Sequence, residues 1–306
     1  MTRTILLPCL LAVSQILAGQ DLDPFELTPQ WLNQIEALAP DSPAATPKAG
    51  RRLLIFSLHT GYEHWSIPHT ESVVRILSAK AGIAECTATK DIAFFEAGRL
   101  GEFDAVVLNN TCPERDHRDI FYDIFRKDSS LSEADRRAKA ALLESNLLDF
   151  VRNGGGLVLL HVGTTMQNNS LEFSKMTGGS FDFHPPQQPV PIRLAEPDHP
   201  ITRAFGKAGF TITDEPYFFK NAYADKNFHP LLYMDAATLS GLEQPVSDPI
   251  RYISWIKPYG RGRVFVSAPS HNAQSFENGA FLQFLLSGIQ YALGDLAADD
   301  TPLPGN

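Results

Sequence analysis

Histidines follow three separate apolar runs in this chain. Leu53–Leu58 leads into His59-Thr60-Gly61-Tyr62-Glu63-His64, Leu157–Val162 carries His161 near its end, and Arg263–Ser267 leads into Ala268-Pro269-Ser270-His271-Asn272. Imidazole at such places can shuttle a proton near neutral pH or bind a metal through a neutral nitrogen. Two adjacent acids in Asp214-Glu215-Pro216-Tyr217 could add a general base or a further ligand, though the same four residues also suit a solvated turn. The residues assigned to catalysis are His161, Glu215 and His64. Those assigned to substrate contact are His59, Tyr62, Trp65, Asn110, His184, Asp214, Tyr217, His271 and Asn272. If a divalent cation such as zinc is bound, His59, His64, His161 and His271 are the expected ligands, although their spacing is dispersed. His69, His117 and His229 are expected on solvated helix or loop surface.

Short apolar runs at 53–58, 103–109, 157–162 and 263–267, with a further strand candidate at 84–89, predict strands, the innermost buried on both faces. Helical spacing at 66–81, 134–152 and 277–293 alternates with them, which predicts an α/β layered fold around a mainly parallel sheet. In such sheets ligands gather beyond the carboxyl ends of the strands, the edge where the three runs deliver their histidines. Gly154-Gly155-Gly156 precedes a strand and reads as a helix stop, not a phosphate loop. The proline-rich stretch 180–255 predicts loops and antiparallel strands laid on the sheet.

Residues 1–20 have the pattern of an export signal: Arg3, an apolar run Ile5–Leu17 too short to span a bilayer, then Ala18-Gly19-Gln20. This predicts a periplasmic or secreted protein without stable membrane insertion. Residues 21–50 read as a leader with a short helix around Trp31 and Ile35, followed by a Pro/Ala linker. The domain spans 51–295, and 296–306 reads as a frayed tail. The chain has 306 residues with 26 basic and 35 acidic side chains, a net charge of −9 that argues against a nucleic-acid partner. Three cysteines are too few for a disulfide scaffold, and pairing of Cys86 with Cys112 is left open. No GxSxG, GxGxxG, Walker A or HExxH motif occurs. The sequence is compatible with a homo-oligomer.

Several motifs together carry a resemblance. They are His59-Thr-Gly-Tyr-Glu-His64-Trp-Ser-Ile-Pro68, Phe103-Asp-Ala-Val-Val-Leu-Asn-Asn110, Asn153-Gly-Gly-Gly-Leu-Val-Leu-Leu-His161 and Gly178-Gly-Ser-Phe-Asp-Phe-His184-Pro185. Asp198-His-Pro-Ile201, Asp214-Glu-Pro-Tyr217 and the stretch from Trp255 through Phe265 to His271-Asn272 complete the set. In this order they are similar to the trehalose-utilisation (ThuA-like) family, a branch of the class I glutamine amidotransferase-like superfamily. The resemblance implies a flavodoxin-like three-layer sandwich with a mainly parallel sheet and helices on both faces. It also implies a role in disaccharide and keto-sugar catabolism, with a small-molecule sugar as partner. Amidotransferases of this superfamily carry a nucleophilic cysteine after the strand equivalent to 157–162; here that place reads His161-Val162-Gly163, so thioester chemistry is not expected. Val162-Gly163-Thr164 and Ala268-Pro269-Ser270 depart from the family's usual residues beside the pocket.

Three functions follow from these readings. One is an enzyme acting on a glycoside or keto-sugar by His/Glu acid–base chemistry with or without a metal. The second is a noncatalytic sugar-binding or scaffolding domain in which Tyr62, Trp65, Tyr217, Phe218 and Trp255 stack on sugar rings. The third, a hydrolase with Cys112 as nucleophile, is weakened by the position of Cys112 after the wrong strand.

Overall fold

In the computed structural model, which describes residues 22–302, each apolar run of the domain becomes a strand. The strands are β1 (Arg52–Phe56), β2 (Glu85–Thr89), β3 (Ala105–Asn109), β4 (Gly156–Leu160), β5 (Ser180–Phe181), β6 (Gln188–Leu194), β7 (Phe210–Asp214), β8 (Phe219–Lys220), β9 (His229–Asp235), β10 (Ile250–Tyr259) and β11 (Gly262–Ser267). The helices are α1 (Pro29–Leu38), α2 (Ile67–Lys80), α3 (Ala97–Leu100), α4 (Ile120–Phe125), α5 (Glu133–Arg152), α6 (Leu171–Thr177) and α7 (Gly279–Leu293). The expected export signal, residues 1–20, lies outside the described residues.

Nine strands form one sheet in the order β2-β1-β3-β4-β11-β10-β9-β6-β7. From β2 to β11 neighbours run parallel, and from β11 to β7 they run antiparallel. Every residue of β3 and β4 is buried, as a strand covered on both faces requires. Ser132 Oγ accepts from Asp135 N to start α5, and Asn278 Oδ1 accepts from Ala280 N to start α7. Helices α2 and α7 pack together, with α7 on β4 and β11; α5 also touches β11 and gathers α3, α4 and α6.

The segment 180–255 does not lie on the sheet as the sequence suggested. Its strands β6, β7, β9 and β10 continue the sheet sideways, because the tight turn after Tyr259 folds β10 back along β11. Strand β6 alternates buried and exposed residues, with Pro189 and Pro191 on the exposed positions. At those prolines β6 pairs only with β7, and its pairing with β9 begins at Ile192, so no ladder bond is lost to a missing N–H.

Both flanks of the domain are more tightly held than expected. Trp31 and Ile35 bury themselves from α1, and the Pro/Ala stretch is tied down where Gln290 Oε1 accepts from Ala44 N at 2.6 Å and Ala45 N at 3.2 Å. The tail is docked at least to Thr301: His199 and His229 meet the carbonyls of Asp299 and Thr301 at 3.1 and 2.8 Å. His229 is therefore a buried structural histidine, with its Nε2 2.9 Å from Glu196 Oε2. His117 contacts Asp123 at 3.2 Å and is only half-exposed.

His69 also departs from its expected solvated place. It is buried on α2 inside a ring of Phe25, Trp31 and Trp65, with centroids 4.9–5.1 Å away. Leader and domain thus share one apolar contact, which the spacing of α2 alone did not reveal. Burial holds the imidazole below its ordinary pKa, so its proton affinity is lower in the folded protein than in the unfolded chain. Stability from this site is complete above the ordinary value and falls as pH drops below it. A His69→Phe protein is expected to be more stable by about 1 kcal/mol, with the gain growing from pH 7 to pH 5 in urea melts. An unchanged pH profile would refute this account.

Candidate functional site

The carboxyl ends of β1, β3, β4 and β11 lie side by side, and their following turns build one site. Strand β4 passes straight into a 3-10 turn at His161–Thr165, with His161 itself at φ +47°. This left-handed conformation is uncommon for a non-glycine residue and concentrates at functional turns. The turn is possible because Gly163 lies against Leu108 O, where an added Cβ would come within 2.4 Å. Asn109, at the end of β3, donates to Ser57 Oγ at 2.9 Å and Ile67 O at 3.0 Å, joining the ends of β1 and β3 to α2. Ser66 Oγ donates to His271 O at 2.7 Å, fixing the loop after β11 against the start of α2.

Five side chains converge here. His161 Nδ1 lies 2.8 Å from Ala268 O; as the donor to that carbonyl it leaves the Nε2 lone pair facing the cluster. Around Nε2 stand the Tyr217 hydroxyl at 3.0 Å, His271 Nδ1 at 3.2 Å and Glu215 Oε2 at 3.4 Å. His271 Nδ1 and Glu215 Oε2 are themselves 3.2 Å apart. The His64 ring closes the group, its centroid 5.2 Å from those of both His161 and His271.

This set fits a divalent cation. The three spacings of 3.2–3.4 Å among His161, His271 and Glu215 approach the edges of about 3.3–3.6 Å expected of a zinc tetrahedron. His64, His161, Glu215 and His271 each offer a donor within 4.8 Å of the others, and the buried His64 Nδ1 has no hydrogen-bond partner. A second imidazole nitrogen, a carboxylate oxygen and a phenol crowd the His161 Nε2 lone pair, an arrangement suited to a shared cation.

Electrostatics support the same division of roles. Burial, followed by the two neighbouring imidazoles, pulls His64 down to about 2, so it stays neutral. Burial by itself would raise Glu215, but hydrogen bonds and charge from His161 and His271 outweigh it and hold the carboxyl well below the usual range. Burial and the nearby Glu215 charge push the Tyr217 phenol well up, so it keeps its proton. Burial also raises Asp214, despite the opposing pull of His161, His271 and backbone amides. Asp214, assigned to substrate contact, is buried with its carboxyl turned to backbone amides. Its carboxyl accepts from Ser270 N at 2.7 Å, Glu215 N at 2.8 Å and His271 N at 3.2 Å, and so shapes both loops that carry site residues.

A cavity of about 300 Å³ opens beside the cluster, with His64, Glu215, Tyr217, Tyr62 and His184 on its wall. Tyr62 is 62% exposed, and its ring meets that of His64 at a centroid distance of 4.7 Å. His184 Nε2 stands 3.7 Å from Glu215 Oε2. A larger cavity of about 610 Å³ lies at the opposite, amino ends of the parallel strands, where Arg51 is already paired with Asp104 and Asp295.

The remaining assigned residues lie elsewhere. His59 does not join the histidine cluster: its Nε2 faces Glu63 Oε1 at 3.3 Å, and Glu215 takes the place expected for it among the ligands. Trp65 packs on Phe25 and His69 instead of lining the cavity. Asn110 is fully buried at φ +52° with its amide on Asn109 Oδ1, and Asn272 is spent on Gln187 Oε1 and Thr213 O. Trp255 and Phe218 are core residues. Cys86 and Cys112 are free thiols, each pushed up by burial. Cys112 reaches the cavity wall but is not the thiolate that a nucleophile requires. Sequence reasoning missed Arg115 and Arg118 on the same wall, because no apolar run or motif points to them; Phe181, inside the motif that ends at His184, was not assigned a role either.

A family model described as trehalose utilisation, ThuA, matches residues 52–292. The chain belongs to the ThuA family. A putative ThuA-like protein from Bacteroides uniformis shares its fold with a TM-score of 0.59 at 18% identity, over 81% of this chain and 94% of that one. A putative ThuA-like protein from Parabacteroides merdae gives 0.53 at 17% identity, over 82% and 93%. A cytoplasmic protein from Salmonella typhimurium gives 0.50 at 13% identity, over 81% and 100%. No curated protein sequence matches the chain. The ThuA match spans all the parallel strands and every site residue, while α1 and the docked tail lie outside it.

Proposed function

We propose that this ThuA-family chain is an exported enzyme of carbohydrate catabolism that removes the proton next to the ketone of a keto-glycoside. The convergence of His64, His161, Glu215 and His271 beside a cavity bearing an exposed tyrosine carries this reading. The basic residue Arg3 and the apolar run Ile5–Leu17 support a periplasmic or secreted location. The strand order β2-β1-β3-β4-β11, with α2 and α7 grouped apart from α5, supports a flavodoxin-like three-layer sandwich.

A ketone acidifies the hydrogen on its neighbouring carbon. Loss of that proton, with departure of the glycosidic oxygen one carbon further on, leaves a carbon–carbon double bond and breaks the glycosidic bond; the departing oxygen takes up a proton. His64, His161, His271 and Glu215 would hold a divalent cation such as zinc, which when bound supplies Lewis-acid polarisation of the ketone oxygen. His184 stands outside this set. Its Nδ1 lies 3.0 Å from Pro185 O, which leaves Nε2 to accept the substrate proton. Tyr217 keeps its phenol proton and donates toward the oxygen on which charge develops. Tyr62 stacks on the sugar ring.

Purified full-length protein is expected to carry about one divalent ion per chain and to release the aglycone from a 3-keto-glycoside. Chelation should stop turnover, and re-addition of the metal should restore it. Cys112→Ser should retain the full rate, because the thiol is protonated and takes no part. Sugar binding without product in metal-loaded protein would instead establish the noncatalytic binding module.

A further inference from the structure

We propose that the cavity selects a sugar bearing an oxyanion, carboxylate or phosphate, through Arg115 and Arg118. This rests on the reading of the cavity as a sugar site and narrows its substrate class. Both arginines lie on the cavity wall with His64 and Glu215. Neither guanidinium makes an ion pair or a side-chain hydrogen bond among the described residues. Three of the nearby acids are already committed. Glu114 pairs with Arg126, Asp119 Oδ1 accepts from Tyr122 N at 2.9 Å, and Asp123 Oδ2 accepts from Thr60 Oγ1 at 2.5 Å and Glu114 N at 2.8 Å. His117 takes the other Asp123 oxygen at 3.2 Å.

Arg118 is also held in an unusual conformation. It is half-buried with φ +56°, a left-handed backbone fixed by its N–H to Glu114 O at 2.9 Å and by Asn169 N to its own carbonyl at 3.2 Å. In a chain of net charge −9, two guanidinium groups free of ion pairs place positive charge on one part of the cavity wall. A guanidinium fork matches a carboxylate or phosphate with two parallel hydrogen bonds, and a neutral sugar cannot use that geometry or charge. The anionic group would sit toward the arginines, away from the Glu215 carboxylate, with the reacting carbons toward His184 and Tyr217.

Titration calorimetry of the full chain with its native metal content tests this, using D-glucuronate, D-glucose 6-phosphate and D-glucose at low and high salt. One anionic sugar at least is expected to bind about tenfold or more tightly than glucose, with the advantage shrinking at high salt. The glucuronate and glucose 6-phosphate arms separate carboxylate from phosphate. Arg118→Asn, which a positive φ tolerates, and Arg115→Gln, at an exposed position, should each erode the advantage, and Arg118→Lys should restore part of it. Glucose binding as tightly as both anionic sugars would overturn the inference and leave the sugar reading intact. Arginine-dependent binding of inorganic phosphate or acetate, with no sugar bound, would uphold the anion site and remove the sugar reading. Absence of binding by every probe would remove both.

Discussion

A His161→Ala protein is expected to hold less than about a tenth of a metal ion per chain and to lose about 10³-fold or more in kcat/KM on a 3-keto-glycoside. His161 is the residue at which the site's distances meet. Its Nδ1 is anchored on Ala268 O, its Nε2 lies within 3.4 Å of Tyr217, His271 and Glu215, and its ring is fully buried. Removing it takes away a ligand and the anchor that orients the ligand. It also takes away one of the two imidazoles that hydrogen-bond Glu215 and hold its carboxyl low, so the carboxyl should titrate higher than before. Elemental analysis and steady-state kinetics on the same preparation, with circular dichroism to confirm folding, read both effects. Turnover within a few-fold of the unsubstituted protein would show that the cluster does not perform the chemistry.

An Asp214→Ala protein is expected to lose about 2–4 kcal/mol of stability, measured by urea unfolding. Asp214 is a buried carboxyl that accepts three backbone N–H groups, from Ser270, His271 and Glu215. Truncation strands these donors in a site with little access to water, which costs more than the loss of an ordinary hydrogen bond. Ser270 holds φ +113°, and its N–H to Asp214 is part of what keeps it there. The same bonds place His271 and Glu215, so metal content should fall together with stability. Asp214→Asn keeps the shape and one acceptor oxygen and should cost less than alanine. Equal costs would mean that the residue fills space and does not organise the loops.

These expectations draw on sequence and structure in different proportions. The parallel strands were legible because a strand covered on both faces must be apolar throughout, as Leu157–Leu160 and Ala105–Leu108 are. The longer helices α1, α2, α5 and α7 were legible from their period, whereas α3, α4 and α6 are too short to show one. Antiparallel strands were expected in 180–255, but their place as an extension of the sheet was not legible. Proline lacks an N–H, and a run such as Gln188–Leu194 reads as loop until its pairing partners are known; only β7 and β9 decide that it is a strand. His69 misled for a related reason. Its burial comes from Phe25 and Trp31, which belong to a leader remote in sequence, and no local pattern records that contact.

The sequence by itself determined the family, the parallel half of the sheet, and the rule that residues after strands β1, β4 and β11 meet at one edge. That rule follows from local periodicity and from the geometry of parallel crossovers. Tertiary structure decided which of those residues touch. His64 reaches the cluster and His59 does not, because their side chains leave the same loop in directions that only packing fixes. Glu215 becomes the fourth member because β7 ends far along the chain yet is tied by Asp214 to the loop after β11. Distances of a few ångströms between groups more than fifty residues apart depend on the whole sheet being assembled, so they are absent from any spacing written in the chain.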